Sequence, residues 1–189
     1  QTCALPIFDE QALLAHNRLS IIDLSSAANQ PMTSASGRHV IVFNGEIYNF
    51  AELRANLVAA AEHFDGHSDT EVLLKTFEIN GFDACLKSLR GMFAFCIWDN
   101  KERALYCARD RIGVKPLVYA QTGQGFYFAS EIQGLFAMAP DLPRRPDYQA
   151  LDHYLSFQYI PAPMSGFAAI RKLPPAHAMV VRDGKIEDR

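Results

Sequence analysis

The chain has 189 residues, of which 49% are hydrophobic and 21% charged, and its formal net charge is −3. This is the composition of an ordinary globular domain that is large enough to bury a core. Because its Lys and Arg residues are scattered, and no apolar run approaches the roughly 20 residues that span a bilayer, we expect neither a nucleic-acid nor a membrane partner.

Four cysteines, Cys3, Cys85, Cys96 and Cys107, form neither a CxxC pair nor a short Cys/His spacing, so no metal site is expected. The last three stand in apolar surroundings. We therefore predict that they are buried, reduced thiols of a cytoplasmic protein.

The first half of the chain combines short apolar runs with helical patterns. A strand is predicted at residues 18–23, and another at 40–43 after a polar loop. Asn49 is placed to cap a helix that carries Leu53 and Leu57 on its apolar face.

A second helix is predicted behind Ser68 and Glu71, which have the spacing of a capping box, and Gly81 suits its end. Hairpins joined to helices then favour an α+β fold with antiparallel sheets over a βαβ array. The remaining predicted elements are a hairpin of 91–98 with 104–108, a hairpin of 115–120 with 126–130, a short helix after 131, a helix at 147–157 and a hairpin-like segment at 178–186. A proline-rich stretch at 139–146 is expected at an edge of the compact body.

The apolar run 40–43 ends abruptly at Asn44 and Gly45, and Glu46 follows. An Asn side-chain amide and a Gly N–H at the mouth of a strand can place two donors on one point, as in an oxyanion hole for acyl transfer. An Asn-Gly pair between apolar runs is also a strong hairpin signal. Both interpretations stand at this point.

A pocket for a free amino acid amide such as glutamine needs a guanidinium for the α-carboxylate, carboxylates for the α-ammonium and oxyanion donors for the side-chain carbonyl. Arg18 could supply the first, Glu46 and Asp69 the second, and Asn44 with Gly45 the third. Each charged residue also has a simpler interpretation. Arg18 could be a surface charge, Asp69 a helix cap and Glu46 a solvated turn residue.

A series of ordered motifs extends the pattern along the chain, at residues 16–24, 29–32, 43–49, 68–71, 90–95, 108–117, 129–132, 159–163 and 171–175. Together they resemble the glutaminase domain of glutamine-dependent asparagine synthetases, which are class II glutamine amidotransferases with an N-terminal-nucleophile hydrolase fold. The resemblance covers residues 12–188, nearly the whole chain.

The resemblance implies a four-layer αββα sandwich of two antiparallel sheets, here without its N-terminal part. It implies that Arg18 binds the α-carboxylate of glutamine, that Asp69 and Glu46 face the α-amine, and that Asn44 and the Gly45 N–H form the oxyanion hole. It also implies an architectural role for the turn at residues 109–110. The implied glutamine site comprises Arg18, Leu19, Ser20, Ile21, Ile22, Asn44, Gly45, Glu46 and Asp69.

The implied activity is that of the glutaminase portion of a cytoplasmic asparagine synthase, which releases ammonia for ATP-dependent amidation of aspartate. No cofactor is expected in this segment. ATP and magnesium are expected in a C-terminal synthetase domain of the parent chain, and a homodimer is expected.

The nucleophile of the resembled family is an N-terminal cysteine whose own α-amine acts as the base. No residue of this chain matches it, because Cys3 is preceded by two residues and stands too near Arg18. We therefore expect residues 1–11 to be a foreign leader, 12–140 to be an incomplete amidotransferase domain, and 141–189 to be its remainder and a linker. Such a chain is expected to be inactive and marginally stable.

Two alternatives to an asparagine synthase remain. One is an amidotransferase of the same family with another acceptor, in a peptide or polysaccharide pathway. The other is a catalytically dead glutamine-binding module.

Overall fold

The computed structural model describes residues 2–3, 7–8, 11–18 and 25–188. Its strands are β1 (Thr2–Cys3), β2 (Ile7–Phe8), β3 (Leu13–Leu14), β4 (Asn17–Arg18), β5 (Met32–Thr33), β6 (His39–Ile47), β7 (Gly91–Asp99), β8 (Ala104–Arg109), β9 (Val118–Thr122), β10 (Gly125–Ala129), β11 (Arg171–Lys172), β12 (Ala178–Arg182) and β13 (Lys185–Asp188). Its helices are α1 (Phe50–Ala59), α2 (Asp69–Asn80), α3 (Phe82–Ser88), α4 (Ile132–Met138) and α5 (Tyr148–Phe157), with a 3₁₀ turn at Ser26–Ala28.

Two antiparallel sheets form the centre of the described structure. The larger has six strands in the order β13-β12-β8-β7-β6-β5, and the smaller has three in the order β10-β9-β11. The strands β1 with β4, and β2 with β3, form two short separate pairs. Consecutive strands β6, β7 and β8 pair directly, so the middle of the large sheet is a meander.

The core has three parts, which separate four layers. The first lies between the large sheet and helices α1–α3 and includes Ile41, Phe43 and Phe95. The second lies between the two sheets and includes Val40 and Val42. The third lies between the small sheet and α4. This arrangement confirms the predicted α+β fold with two antiparallel sheets in an αββα sandwich.

Alternation along β6 assigns its two faces. Ile41 and Phe43 belong to the helix-facing core, whereas Val40 and Val42 belong to the core between the sheets. Successive side chains of a strand point to opposite faces. Asn44 and Glu46 therefore project on the same side as Val40 and Val42, toward the second sheet.

The hairpin interpretation of Asn44-Gly45 is wrong, because β6 continues through both residues as far as Ile47. Helix α3 was not predicted, since its seven residues are too few to display a helical period. The predicted strand at 18–23 reaches the described structure only at Arg18. The other predicted helices and both central hairpins are present, with shifts of a few residues at their ends.

The capping box at α2 forms only in part. The Ser68 hydroxyl accepts a hydrogen bond from the Glu71 N–H at 3.2 Å, as expected. The Glu71 carboxylate instead accepts from the backbone N–H groups of Asp65 and Gly66, at 2.8 and 2.9 Å. It therefore shapes the loop that leads into α2.

Cys85, Cys96 and Cys107 are buried and free, which confirms that part of the cysteine prediction. Cys96 and Cys107 lie opposite each other on β7 and β8. Among the described residues, no helix has the length and apolar character needed to cross a bilayer.

Candidate functional site

The candidate site lies at the C-terminal end of β6, where burial of the strand decreases. Residues 39–43 are buried, whereas Asn44, Gly45 and Glu46 are half-buried. Strand β5 pairs with β6 only at Val40 and Ile41. Beyond Ile41, in the part of the chain that the structure describes, no strand covers the edge of β6 opposite β7.

The backbone N–H groups of alternate β6 residues point toward this open edge. In an antiparallel pair, the N–H and C=O of one residue point to the same side. Phe93, opposite Gly45, bonds through both groups to Asp110 on the β8 side, so the Gly45 N–H points away from β7. The neighbouring outward donors behave alike: the Phe43 N–H donates to Gln30 Oε1 at 2.6 Å, and the Ile47 N–H to Asp69 Oδ2 at 3.0 Å.

Gly45 stands between these two bonded donors. Among the described residues, no side chain accepts from its N–H in the way that Gln30 and Asp69 accept from its neighbours. The Gly45 N–H is thus a donor directed at an open edge, with the Asn44 amide on the adjacent position. A backbone donor directed at an open edge is one of the donors that an oxyanion site requires.

A glycine is needed at position 45 because two backbones approach closely there. Its φ is +153°, and a Cβ would collide with the Met92 carbonyl oxygen and the Phe93 Cα. Residues other than glycine rarely adopt this backbone conformation. The Asn-Gly pair in the sequence therefore marks a close approach of two strands rather than a turn.

Asp69 is the first residue of α2 and is only 5% exposed. Ser68 provides the side-chain cap of this helix, and the Asp69 carboxylate reaches across to the Ile47 N–H on β6. The interpretation of Asp69 as the helix cap is therefore wrong.

The electrostatics at Asp69 favour a cationic ligand. Burial raises the pKa of Asp69, hydrogen bonds from backbone N–H groups oppose the rise, and the Glu46 carboxylate adds to it. Two carboxylates are thus close enough to repel each other. Within the described part of the chain, neither forms an ion pair with Lys, Arg or His. An ammonium group placed between them would relieve both repulsion and desolvation.

Gln30 is a buried neighbour of the candidate site, and no role for it was predicted from the sequence. It is buried, accepts from the Phe43 N–H, and its Nε2 lies 3.4 Å from Thr70 Oγ1. It therefore connects the open edge of β6 to the first turn of α2, beside Asp69. Its position before a proline in a polar loop gave no sign of this contact.

The structure brings together Asn44, Gly45, Glu46 and Asp69 from two elements distant in sequence. Arg18 lies in β4, where its backbone pairs with Thr2 of β1. Its side chain is outside the described part of the structure. The predicted site residues Leu19, Ser20, Ile21 and Ile22 also lie outside the described residues.

The predicted architectural role of the turn at 109–110 is confirmed by its hydrogen bonds. The Arg109 guanidinium donates to the carbonyls of Lys115, Leu173 and Gly113, each at 2.7 Å. Asp110 is fully buried and accepts backbone N–H bonds.

Comparison with known proteins identifies what this chain is similar to. It is 42% identical to asparagine synthetase (glutamine-hydrolyzing) 1 of Bacillus subtilis, over 94% of this chain and 28% of that protein. It is 38% identical to asparagine synthetase (glutamine-hydrolyzing) 3 of the same organism, over 93% of this chain and 29% of that protein. It is also 32% identical to the amidase chry2 of Gibberella zeae, over 93% of this chain and 25% of that protein. The chain therefore spans less than a third of the length of these relatives.

Among solved structures, the glutamine phosphoribosylpyrophosphate amidotransferase of B. subtilis superimposes with a TM-score of 0.63 at 22% identity. The match covers 93% of this chain and 34% of that one. At this identity the likeness concerns the fold, and it agrees with the αββα layers described above. The sequence family described as the glutamine amidotransferase domain matches residues 6–189. The chain belongs to this family of glutamine amidotransferase domains.

Proposed function

We propose that this chain is the glutamine-binding portion of a glutamine-hydrolysing asparagine synthase. The observation that carries the proposal is the open edge of β6, where the Gly45 N–H and the Asp69 carboxylate lie side by side. Gly45 and Ile47 are two residues apart, so their outward N–H groups are about 7 Å from each other along the strand. An amino acid with an amide at the end of its side chain can reach both positions.

In this proposal each end of glutamine lies beside protein groups that complement its charge or its hydrogen-bonding atoms. Its α-ammonium lies by Asp69 and Glu46, where two carboxylates lack a cationic partner among the described residues. Its side-chain carbonyl accepts from the Gly45 N–H and the Asn44 amide, which stabilise the oxyanion formed on attack at the amide carbon. Arg18 binds the α-carboxylate, and residues 19–22 complete the pocket, as the resemblance implies.

None of the described buried cysteines suits the role of nucleophile. Burial raises the pKa of the Cys85 thiol to about 12, and burial together with Cys107 raises that of Cys96 well above its ordinary value. A buried, protonated thiol neither attacks an amide nor admits one. We therefore propose that these 189 residues bind glutamine without hydrolysing it, and that a cysteine outside them acts in the parent enzyme.

The remainder of the proposed reaction follows from similarity to the asparagine synthetases. Ammonia released here would amidate aspartate in a C-terminal synthetase domain that uses ATP and magnesium, within a cytoplasmic homodimer. The similarity to the amidase chry2 favours, as the second candidate, an amidotransferase of the same family with another acceptor. The site described here serves both, because it handles only the nitrogen donor.

Glutamine titration of the chain, followed by calorimetry or amide chemical shifts, tests the proposal. Asp69→Asn removes one charge from the ammonium side, and loss of one partner of a buried charge pair costs about 2–5 kcal/mol, which is roughly 30-fold or more in Kd. Asp83→Asn is the matched control, since Asp83 also stands in the first turn of a helix but is exposed. The proposal fails if the chain does not bind glutamine saturably, or if both variants bind like the parent.

A further inference from the structure

Asp110 lies at the end of β8 and is 0% exposed. No ion pair neutralises it among the described residues, and its carboxylate is instead surrounded by backbone donors. Burial alone would raise its pKa, but these N–H groups outweigh that effect and lower it. The donors are the backbone N–H groups of Lys115 at 3.0 Å, Val114 at 2.9 Å, Ile112 at 3.2 Å and Phe93 at 3.3 Å.

The bond to Phe93 differs from the other three because it belongs to the sheet ladder. The Asp110 N–H donates to the Phe93 carbonyl at 2.7 Å, as a regular antiparallel partner would. The Phe93 N–H, however, donates to the Asp110 side chain rather than to its carbonyl. That carbonyl accepts from the N–H groups of Gly113 and Ala176, at 3.1 and 2.9 Å. The Asp110 carboxylate thus replaces a main-chain acceptor and holds Phe93 from the β8 side.

Phe93 is also the residue directly opposite Gly45 in the β6–β7 register. Because Gly45 has no Cβ, its backbone lies against the Met92 carbonyl and the Phe93 Cα. Residues opposite each other without mutual hydrogen bonds are the closer kind of antiparallel pair, with Cα atoms about 4.5 Å apart. A displacement of the Phe93 backbone is therefore transmitted to Gly45 by direct contact.

We propose that Asp110 is a positioning residue for the amide chemistry, which it serves by fixing Phe93 and thereby the direction of the Gly45 N–H. This inference rests on the proposed role of Gly45 as an oxyanion donor. Asp110 does not touch the substrate. The effect of its loss is a misaligned donor rather than a missing one, and donor alignment determines how strongly an oxyanion is stabilised.

Amide NMR spectra of the ¹⁵N-labelled chain test the inference, with Asp110→Asn as the variant. The Asn amide group places a donor where one carboxylate oxygen accepted, so part of the set of backbone bonds is lost. We expect exchange of the Phe93 N–H to rise about tenfold relative to that of Ile97, the effect of losing one charge-assisted hydrogen bond. We also expect the Gly45 amide resonance to move, and its response to glutamine to diminish.

Asp99→Asn is the matched control. Asp99 is a buried carboxylate on β7, the strand that also contains Phe93. It also accepts backbone N–H bonds, and it lies at the opposite end of the strand pair from Gly45. A general loss of stability would affect both variants, whereas a positioning effect displaces the Gly45 resonance in Asp110→Asn alone. If that variant does not fold, Val114→Pro removes a single N–H donor to Asp110 at an exposed position and should displace Gly45 by a smaller amount.

A Gly45 resonance that stays unmoved in Asp110→Asn, or that moves equally in Asp99→Asn, overturns the inference. Failure of the proposed function has a separate signature. In that case glutamine leaves the parent spectrum unchanged, while the displacement of Gly45 by Asp110→Asn still decides whether Asp110 positions it.

Discussion

Carboxylates lie near both ends of the strand pair β6–β7. Cationic side chains contact them at one end, whereas no described cation does so at the other end. At the start of β6, Asp99 accepts two hydrogen bonds from the Arg38 Nε and one from its Nη2, and His39 lies between Asp99 and Glu78. At the far end, Asp69 stands near Glu46, and its only described partners are backbone N–H groups.

The pKa directions express this difference. Burial of Asp99 and Glu78 favours their neutral forms, but hydrogen bonds from Arg38 and His39 respectively outweigh it and lower both pKa values. Burial raises the pKa of Asp69, and no described cation reverses the rise. A fully neutralised charge network is what a structural site requires. A pair of carboxylates with no cationic partner among the described residues is what a binding site for an ammonium group requires.

The largest expected effect comes from a substitution at Gly45, where the backbones of β6 and β7 approach most closely. Gly45→Ala forces a Cβ into the Met92 carbonyl and the Phe93 Cα, so the two central strands must separate. We expect destabilisation above about 4 kcal/mol, measured by urea unfolding. Gly37→Ala is the control: Gly37 also has positive φ, at +71°, but nothing lies within 4 Å of a Cβ there, so about 1 kcal/mol is expected. Equal effects of the two substitutions would show that the strand approach is not tight.

Removal of the Asp99 carboxylate, at the end of the strand pair where β6 begins, should lower stability less and should leave glutamine binding unchanged. Asp99→Ala leaves Arg38, whose side chain is 38% exposed, and the buried His39 without a shared acceptor, so we expect a loss of stability smaller than that caused by Gly45→Ala. Urea unfolding measures this loss, and a glutamine titration of the folded fraction should give an unchanged Kd. A weakened Kd would mean that the two ends are coupled along the strands and do not act independently.

Sequence patterns predicted the parts of this molecule that depend on local periodicity. The apolar runs of β6, β7 and β8 and the Ser68 cap are local features, and they appear in the structure where the sequence places them. The Asn44-Gly45 pair was harder to interpret from the sequence, because a turn and a close approach of two strands both favour glycine. Only the register with Phe93 separates the two.

Other features depend on contacts between distant residues and had no local signal. Gln30 contacts Phe43 and Thr70, and Asp110 contacts Phe93, over separations of 13, 40 and 17 residues. The glutamine site itself was predicted from the combination of Asn44, Gly45, Glu46 and Asp69 with a family resemblance. The structure places these four together, while their roles stay a prediction.

The smallest expected effect is a pH dependence of opposite sign at the two ends. Asp69 has a raised pKa in the folded state, so folding takes up protons just above the ordinary carboxyl pKa of about 4. Ionised Asp69 therefore destabilises the fold increasingly as the pH rises through that window. Asp69→Asn removes this penalty, retains an oxygen for the Ile47 N–H, and should be more stable than the parent by about 1 kcal/mol at pH 7. The gain should vanish toward pH 4.

At the start of β6 the sign reverses. Asp99 has a lowered pKa, so its contribution to stability is fully present above about pH 4 and is lost as the pH falls below that value. Asp99→Asn should therefore be less stable than the parent at pH 7 and approach it as the medium is acidified. Urea midpoints for the parent and both variants, taken at several pH values, give the two slopes directly. Slopes of the same sign would mean that Asp69 already has a neutralising partner, and the site would then have no vacant charge to offer an ammonium group.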